Sequence, residues 1–254
     1  MNAPFQYGTL ATKENFVDRV EDRVQLKNFL SSHINVMLVS PRRWGKSSLV
    51  KVAMEELQEE DKDVRVCYID AFSVGSEAEF YRTFANHVTA CADAQFIPKE
   101  QNKTDILQLP ENLAESLDIK IIVCISEFQQ LANLPEYKDM EGKMRSAWQQ
   151  QERVSYCLYG SKRHMMLDIF NNSNSPFYRF GQLLFLNKIP KERGCLLLLR
   201  LSRSRGNRFL MNMPAGFATL LNVIHGIYSS AVTSYGMPQQ RMLQRNLSTM
   251  GLGR

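Results

Sequence analysis

The residues of this chain whose types and spacing most directly suggest chemistry are Pro41-Arg42-Arg43-Trp44-Gly45-Lys46-Ser47-Ser48, which follow at once on the apolar run Asn35-Val-Met-Leu-Val-Ser40. Glycine, lysine and a hydroxyl residue in succession, between a strand and a helix, make an anion cradle. The glycine lets the backbone approach a phosphate oxygen, and N–H groups of the turn and of the first helical turn point at the anion. On this chemistry Lys46 reaches the terminal phosphates, the Ser47 hydroxyl binds Mg2+, and residues 41–48 form the nucleotide-binding loop. Ser40 stands where the phosphate-loop pattern begins with glycine. That departure weakens the pattern without breaking it, because the anion-binding geometry depends mainly on the turn into the helix.

Such a loop works with an acidic pair at the end of a neighbouring strand, which holds the metal-bound water and polarises the attacking one. Cys124-Ile-Ser-Glu-Phe-Gln129 is placed for that task. Glu127 is the expected general base or water-positioning carboxylate, although an ordinary acidic helix start looks the same. Ser126 occupies the place of the first acid, and a neutral hydroxyl does not offset the charge of Mg2+ as a carboxylate does. Two outcomes therefore stay open. One is Mg2+-dependent triphosphate hydrolysis coupled to conformational change; the other is a nucleotide-gated binding module with little or no turnover.

The elements that must position these groups are legible as an alternation. Lys46 to Glu60 carries Leu49, Val50, Ala53, Met54 and Leu57 at helical spacing, which predicts a crossover helix between parallel strands. Val64 to Ile69, Ile121 to Ile125 and Val154 to Leu158 read as further buried strands, and Gly181 to Leu186 as a fifth strand. Strand and helix in turn predict an α/β fold, a P-loop NTPase three-layer α/β/α sandwich with a mainly parallel sheet and ligands at the C-terminal strand ends. Between Cys91 and Pro110 the periodicity fades, which predicts a loop or a shortened insertion.

Composition sets the outer bounds. The 254 residues, 44% hydrophobic, suffice for a large core. No apolar run approaches the roughly 20 residues that span a bilayer, and Met1 to Phe5 lack a signal-like start, so a cytoplasmic address away from membranes is expected. The net charge of +5 is unevenly spread: Gly194 to Arg254 holds seven Arg and no Lys, Asp or Glu, leaving a balance of −2 on residues 1–193. The break predicts a core over 1–193 and a divergent Arg-rich tail over 194–254, either the product of a shifted reading frame near Arg193-Gly194 or a poorly ordered segment. The tail lacks regularly spaced aromatic groups, so nucleic acid is a partner without a supporting motif. Five cysteines show no metal-ligand spacing, and His33, His87, His164 and His225 are scattered, so both sets read as structural.

Beyond the loop and the strand-end glutamate, the chain carries Pro4-Phe-Gln-Tyr-Gly8, Phe16-Val-Asp-Arg19, Val39-Ser-Pro-Arg-Arg-Trp-Gly-Lys-Ser-Ser-Leu49, Ser126-Glu-Phe-Gln129, Tyr159-Gly-Ser161 and Ser175-Pro-Phe-Tyr-Arg-Phe-Gly181. With these it resembles the prokaryotic AAA-like ATPases of the group called archaeal ATPases, related to the signalling ATPases with numerous domains, over about residues 4–193. The Pro-Arg-Arg-x-Gly-Lys-Ser/Thr-Ser-Leu string is more specific to that group than the generic loop. The resemblance implies ATP with Mg2+, hydrolysis coupled to a conformational or assembly change, and a protein partner not yet identified. It implies that Phe16 and Arg19 lie near the adenine and that Ser161 is a polar sensor of the γ-phosphate. Arg179 is a candidate phosphate-sensing arginine, with surface stacking beside Phe180 as the plain alternative. Family members carry Asp at the place of Ser126, and they continue with a helical lid, and often a winged-helix module, where the match here stops.

Overall fold

The expected strands all form, with ends close to those read from the sequence: β1 Val36–Val39, β2 Val64–Asp70, β3 Lys120–Ser126, β4 Val154–Gly160 and β5 Gln182–Phe185. They pair in parallel in the order β2-β3-β4-β1-β5. The computed structural model describes residue 16 and residues 19–93 and 102–187, which fall within a single compact unit. The motif at Pro4–Gly8, Cys195, His225, the boundary near Arg193 and the tail 194–254 lie outside the described residues.

Alternation along each strand divides the side chains between two helical layers. Val36, Leu38, Val64, Val66, Ile122, Cys124, Cys157 and Tyr159 pack with Leu26 and Leu30 of α1 (Val20–Ser31) and with Leu49, Val50, Ala53, Met54 and Leu57 of α2 (Lys46–Glu60). The opposite set, including Met37, Val39, Ile69, Ile121, Val123, Tyr156 and Leu158, packs with α3 (Glu77–Cys91), α4 (Lys103–Leu117), α5 (Tyr137–Trp148) and α6 (Arg163–Phe170). The fold is the α/β/α sandwich that the strand and helix alternation predicts. Full burial of one such aliphatic side chain contributes about 1.5–3 kcal/mol, and burial on both faces explains why the runs that form the inner strands β1, β3 and β4 are almost wholly apolar. Helix α2 spans the residues expected of it, since its apolar positions recur at a helical period.

Two expectations are corrected. The stretch Cys91 to Pro110 is not simply a loop: α3 extends to Cys91, and α4 begins at Lys103, capped by the Asn102 side chain accepting the Asp105 N–H at 3.0 Å. Pro110 lies inside α4. A proline there removes one backbone donor and opposes helix by about 3 kcal/mol, so local sequence reads against what tertiary packing enforces. Leu107 and Ala114 are fully buried, Gln151 donates to the Leu107 carbonyl at 2.9 Å, and the buried Glu111 carboxylate accepts the Glu152 and Arg153 N–H groups. The second correction concerns adjacency. Strand β3, which carries Ser126, is not hydrogen-bonded to β1, because β4 is inserted between them; periodicity encodes strands but not their lateral order.

Candidate functional site

The loop leaving β1 turns on two left-handed residues, Arg43 (φ 65°) and Gly45 (φ 81°). A Cβ added to Gly45 would meet nothing within 4 Å, so glycine is favoured here by its conformation and not by crowding. Gly45 is the N-cap of α2 and supplies no side-chain cap, and the first turn of the helix contains no acid. The positive end of α2 therefore faces whatever lies before the loop. Pro41, Arg42 and Arg43 are exposed, Trp44 and Ser47 half-buried, and Lys46 and Ser48 buried.

The structure brings the separately predicted residues together. Lys46 Nζ lies 3.2 Å from Glu127 Oε1, with the lysine side chain only 7% exposed. The other carboxylate oxygen, Oε2, accepts hydrogen bonds from Ser161 Oγ and from Gln129 Nε2, both at 2.7 Å. Glu127 itself is left-handed (φ 47°), a conformation that costs a non-glycine residue about 1 kcal/mol or more and persists where surroundings enforce it. Burial pushes the Glu127 carboxyl up, but the hydrogen bonds from Gln129 and Ser161 and the Lys46 ammonium outweigh it and hold the group below the ordinary glutamate value. The result is an ionised carboxylate fixed at the end of β3, beside an ammonium at the start of α2. Ser161 thus touches Glu127, at the tip of β4, where the sequence placed a polar sensor.

Of the two N-terminal residues, Arg19 touches the loop. Buried Arg19 donates to the Trp44 carbonyl and to the Asn187 carbonyl, each at 2.9 Å, and pairs with Asp22 at 2.9 Å. Phe16 packs on the α1/α2 side of the core and lies under the Arg23 guanidinium at 5.8 Å. Exposed Arg179 stacks on Tyr178 at 5.1 Å, while it is Arg145 that lies over Phe180, also at 5.1 Å.

Three residues that shape this cluster were given no role in the sequence reading. Gln129, wholly buried, braces Glu127. Gly160 makes room for that brace, since a Cβ there would stand 1.9 Å from Gln129 Oε1. Asp70, at the end of β2 and directly in register with Ser126, accepts the Ser126 hydroxyl at 2.7 Å. An acid just past an apolar strand run was the available signal for Asp70, the same signal that singled out Glu127.

The donor set suits a polyphosphate accompanied by a hard cation. The uncapped helix end and Lys46 fit the anion, while the hydroxyls of Ser47 and Ser126 are oxygen donors of the kind Mg2+ takes, with the Asp70 carboxylate behind Ser126. Among the described residues no group of three or more His, Cys, Asp or Glu is arranged to hold a metal. Among those residues, too, no helix is long and apolar enough to cross a membrane.

No protein-family model matches the sequence, and no curated protein matches it. Solved structures do share its architecture. A Walker-type ATPase of Pyrococcus abyssi is 18% identical, with a TM-score of 0.63 over 78% of this chain and 61% of that one. The ORC2 protein of Aeropyrum pernix, solved in ADPNP and ADP complexes, is 18% identical, with a TM-score of 0.58 over 74% of this chain and 54% of that one. Cdc6p of Pyrobaculum aerophilum is 16% identical, with a TM-score of 0.54 over 79% and 53%. The chain spans just over half the length of these structures. At this level of identity the likeness is one of architecture, and the chain has the P-loop α/β fold that the Walker-type ATPase and the ORC and Cdc6 proteins share.

Proposed function

We propose that this chain binds ATP with Mg2+ at residues 41–48 and hydrolyses it, coupling the cycle to a conformational change read by a protein partner. The observation that carries the reading is the meeting of Lys46 and Glu127, 3.2 Å apart, before the uncapped N-terminus of α2. Ammonium and helix end bind and orient the β- and γ-phosphates. Glu127, kept ionised by its partners, orients the attacking water and takes its proton as the water oxygen bonds to the γ-phosphorus and the bond to ADP breaks. Ser161 and Gln129 hold the Glu127 carboxylate in one orientation. Ser47, with help from Ser126, would hold Mg2+, which would supply charge neutralisation at the phosphate oxygens. Arg19 fixes the Trp44 carbonyl of the loop, and Phe16 and Arg19 stand on the side that would take the adenine. The solved ATPase and the nucleotide complex of the ORC2 protein support this reading by their architecture.

Replacing Lys46 with Ala removes a charge-assisted phosphate contact of about 1.5–3 kcal/mol, which lowers ATP affinity about tenfold or more. An equilibrium titration measures it, and ATP binding equal to the parent's overturns the assignment. Ser126 favours a second reading, a nucleotide-gated module with little turnover. Steady-state phosphate release distinguishes the two: the first reading expects release that Glu127→Gln abolishes while ATP still binds, the second expects none from the parent.

A further inference from the structure

Resting on that nucleotide reading, we propose that Asp70 supplies, through the Ser126 hydroxyl, the negative charge that position 126 itself lacks, so that two adjacent strands together support the nucleotide's divalent cation. Ser126 Oγ donates to Asp70 Oδ1 at 2.7 Å. The two residues are direct partners in the β2–β3 ladder. By strand alternation both follow Val64 and Val66, and Ile122 and Cys124, onto the face that α2, the helix that carries Ser47, covers.

The arrangement has a chemical consequence. A hydroxyl that gives its proton to a carboxylate has its lone pairs directed elsewhere and is a stronger acceptor, because hydrogen bonds in a chain polarise one another. Ser126 is thereby suited to accept from a metal-bound water, while the full charge resides one residue away on Asp70. Carboxylates that act through an intervening group in this way tune metal sites from outside the ligand set. The Asp70 carboxylate is also held still: its Oδ1 accepts the Phe72 N–H at 3.1 Å as the cap of the short 3-10 turn Ala71–Ser73. Asp70 is a positioning residue, and its loss acts on cation binding while sparing the phosphate cradle.

Asp70→Asn isolates the charge, because the asparagine carbonyl still caps Phe72. The full chain is titrated with a non-hydrolysable ATP analogue in EDTA and again with Mn2+, and the ratio of the two affinities is the readout, with the electron paramagnetic resonance spectrum of protein-bound Mn2+ as its signature. Asp70→Asn is expected to lower the Mn2+-dependent gain about 10–100-fold and to leave the EDTA affinity unchanged. In a Ser126→Ala background the same change is expected to do nothing further, and Ser126→Asp combined with Asp70→Asn is expected to restore the gain. An unchanged ratio in Asp70→Asn, or a full additional loss in the Ser126→Ala background, overturns the proposal. Analogue binding absent from the parent in both EDTA and Mn2+ overturns the nucleotide reading instead.

Discussion

Two partly buried glutamates show how far side-chain neighbours decide charge. Glu127 and Glu141 are both desolvated, yet the carboxyl of Glu127 is held low by two hydrogen bonds and an ammonium, whereas burial pushes that of Glu141 up and the Ser175 hydroxyl, at 2.7 Å, does not offset it. The linkage signs are opposite. Glu127, with a depressed folded value, contributes stability that is present above the ordinary glutamate value and is lost as pH falls through the folded one. Glu141, with a raised folded value, binds its proton more tightly in the native state, so its contribution is lost as pH rises from the ordinary value of about 4.3 through the raised one. Glu141→Gln removes the buried charge and keeps an acceptor for Ser175. It is expected to raise the Tm at pH 7, with the gain closing toward pH 4. Thermal melts at the two pH values check this, and a lower Tm at pH 7 than the parent's would show that the ionised form is stabilised after all. At this scale Lys46 and Glu127 were legible in the sequence, because Lys46 opens the helix after a strand and a glycine turn and Glu127 follows directly on a buried strand. Gln129 and Asp70 were not assigned roles, because those roles depend on which side chain lies opposite, and register is not written in residue type.

At the scale of elements, the strand ends act as a set: β1 delivers the loop, β3 delivers Ser126 and Glu127, β4 delivers Gly160 and Ser161, and β2 delivers Asp70. The strands and α2 were readable because their burial imposes a period on the sequence. Helix α4 was not, since Pro110 and a polar start conceal an element held by contacts from Gln151 and Glu111. The insertion of β4 between β1 and β3 was equally hidden, although it determines that Ser161, just past the inserted strand, meets Glu127. Gly160, where β4 ends, tests how tightly these ends are fitted. An added methyl would stand 1.9 Å from Gln129 Oε1 and 2.7 Å from Met166 Sδ, and Gln129 is fully buried and bonded to Glu127, so it has little room to give way. Gly160→Ala is expected to destabilise the fold by about 1–3 kcal/mol and to slow phosphate release while nearly sparing ATP affinity. Denaturant unfolding and a phosphate-release assay measure both, and parental values in both would show that Gln129 moves aside without consequence.

Across the whole molecule the candidate site is also a junction. The Arg19 guanidinium ties the start of α1 to the Trp44 carbonyl of the loop and to the Asn187 carbonyl just beyond β5, while the pair formed by Lys46 and Glu127 joins the first turn of α2 to the end of β3. A ligand seated before the loop therefore engages groups that come together only when the sheet is complete, and the unfolded chain offers no such constellation. Binding to the native state alone stabilises it by about 2.7 kcal/mol when free ligand is 100 times its Kd. For a domain of this size each kcal/mol moves the Tm by about 2–4 °C, so saturating ATP with Mg2+ is expected to raise the Tm by roughly 5–10 °C. In Lys46→Ala a tenfold weaker affinity at the same ATP concentration removes about 1.4 kcal/mol of that gain, and the shift should shrink to about half. Melts of both proteins over a range of ATP concentrations give the test. If ATP with Mg2+ left the parent's Tm where it was, or moved parent and variant equally, the strand ends would not be acting together on a nucleotide, and the loop would be only a tight turn between β1 and α2.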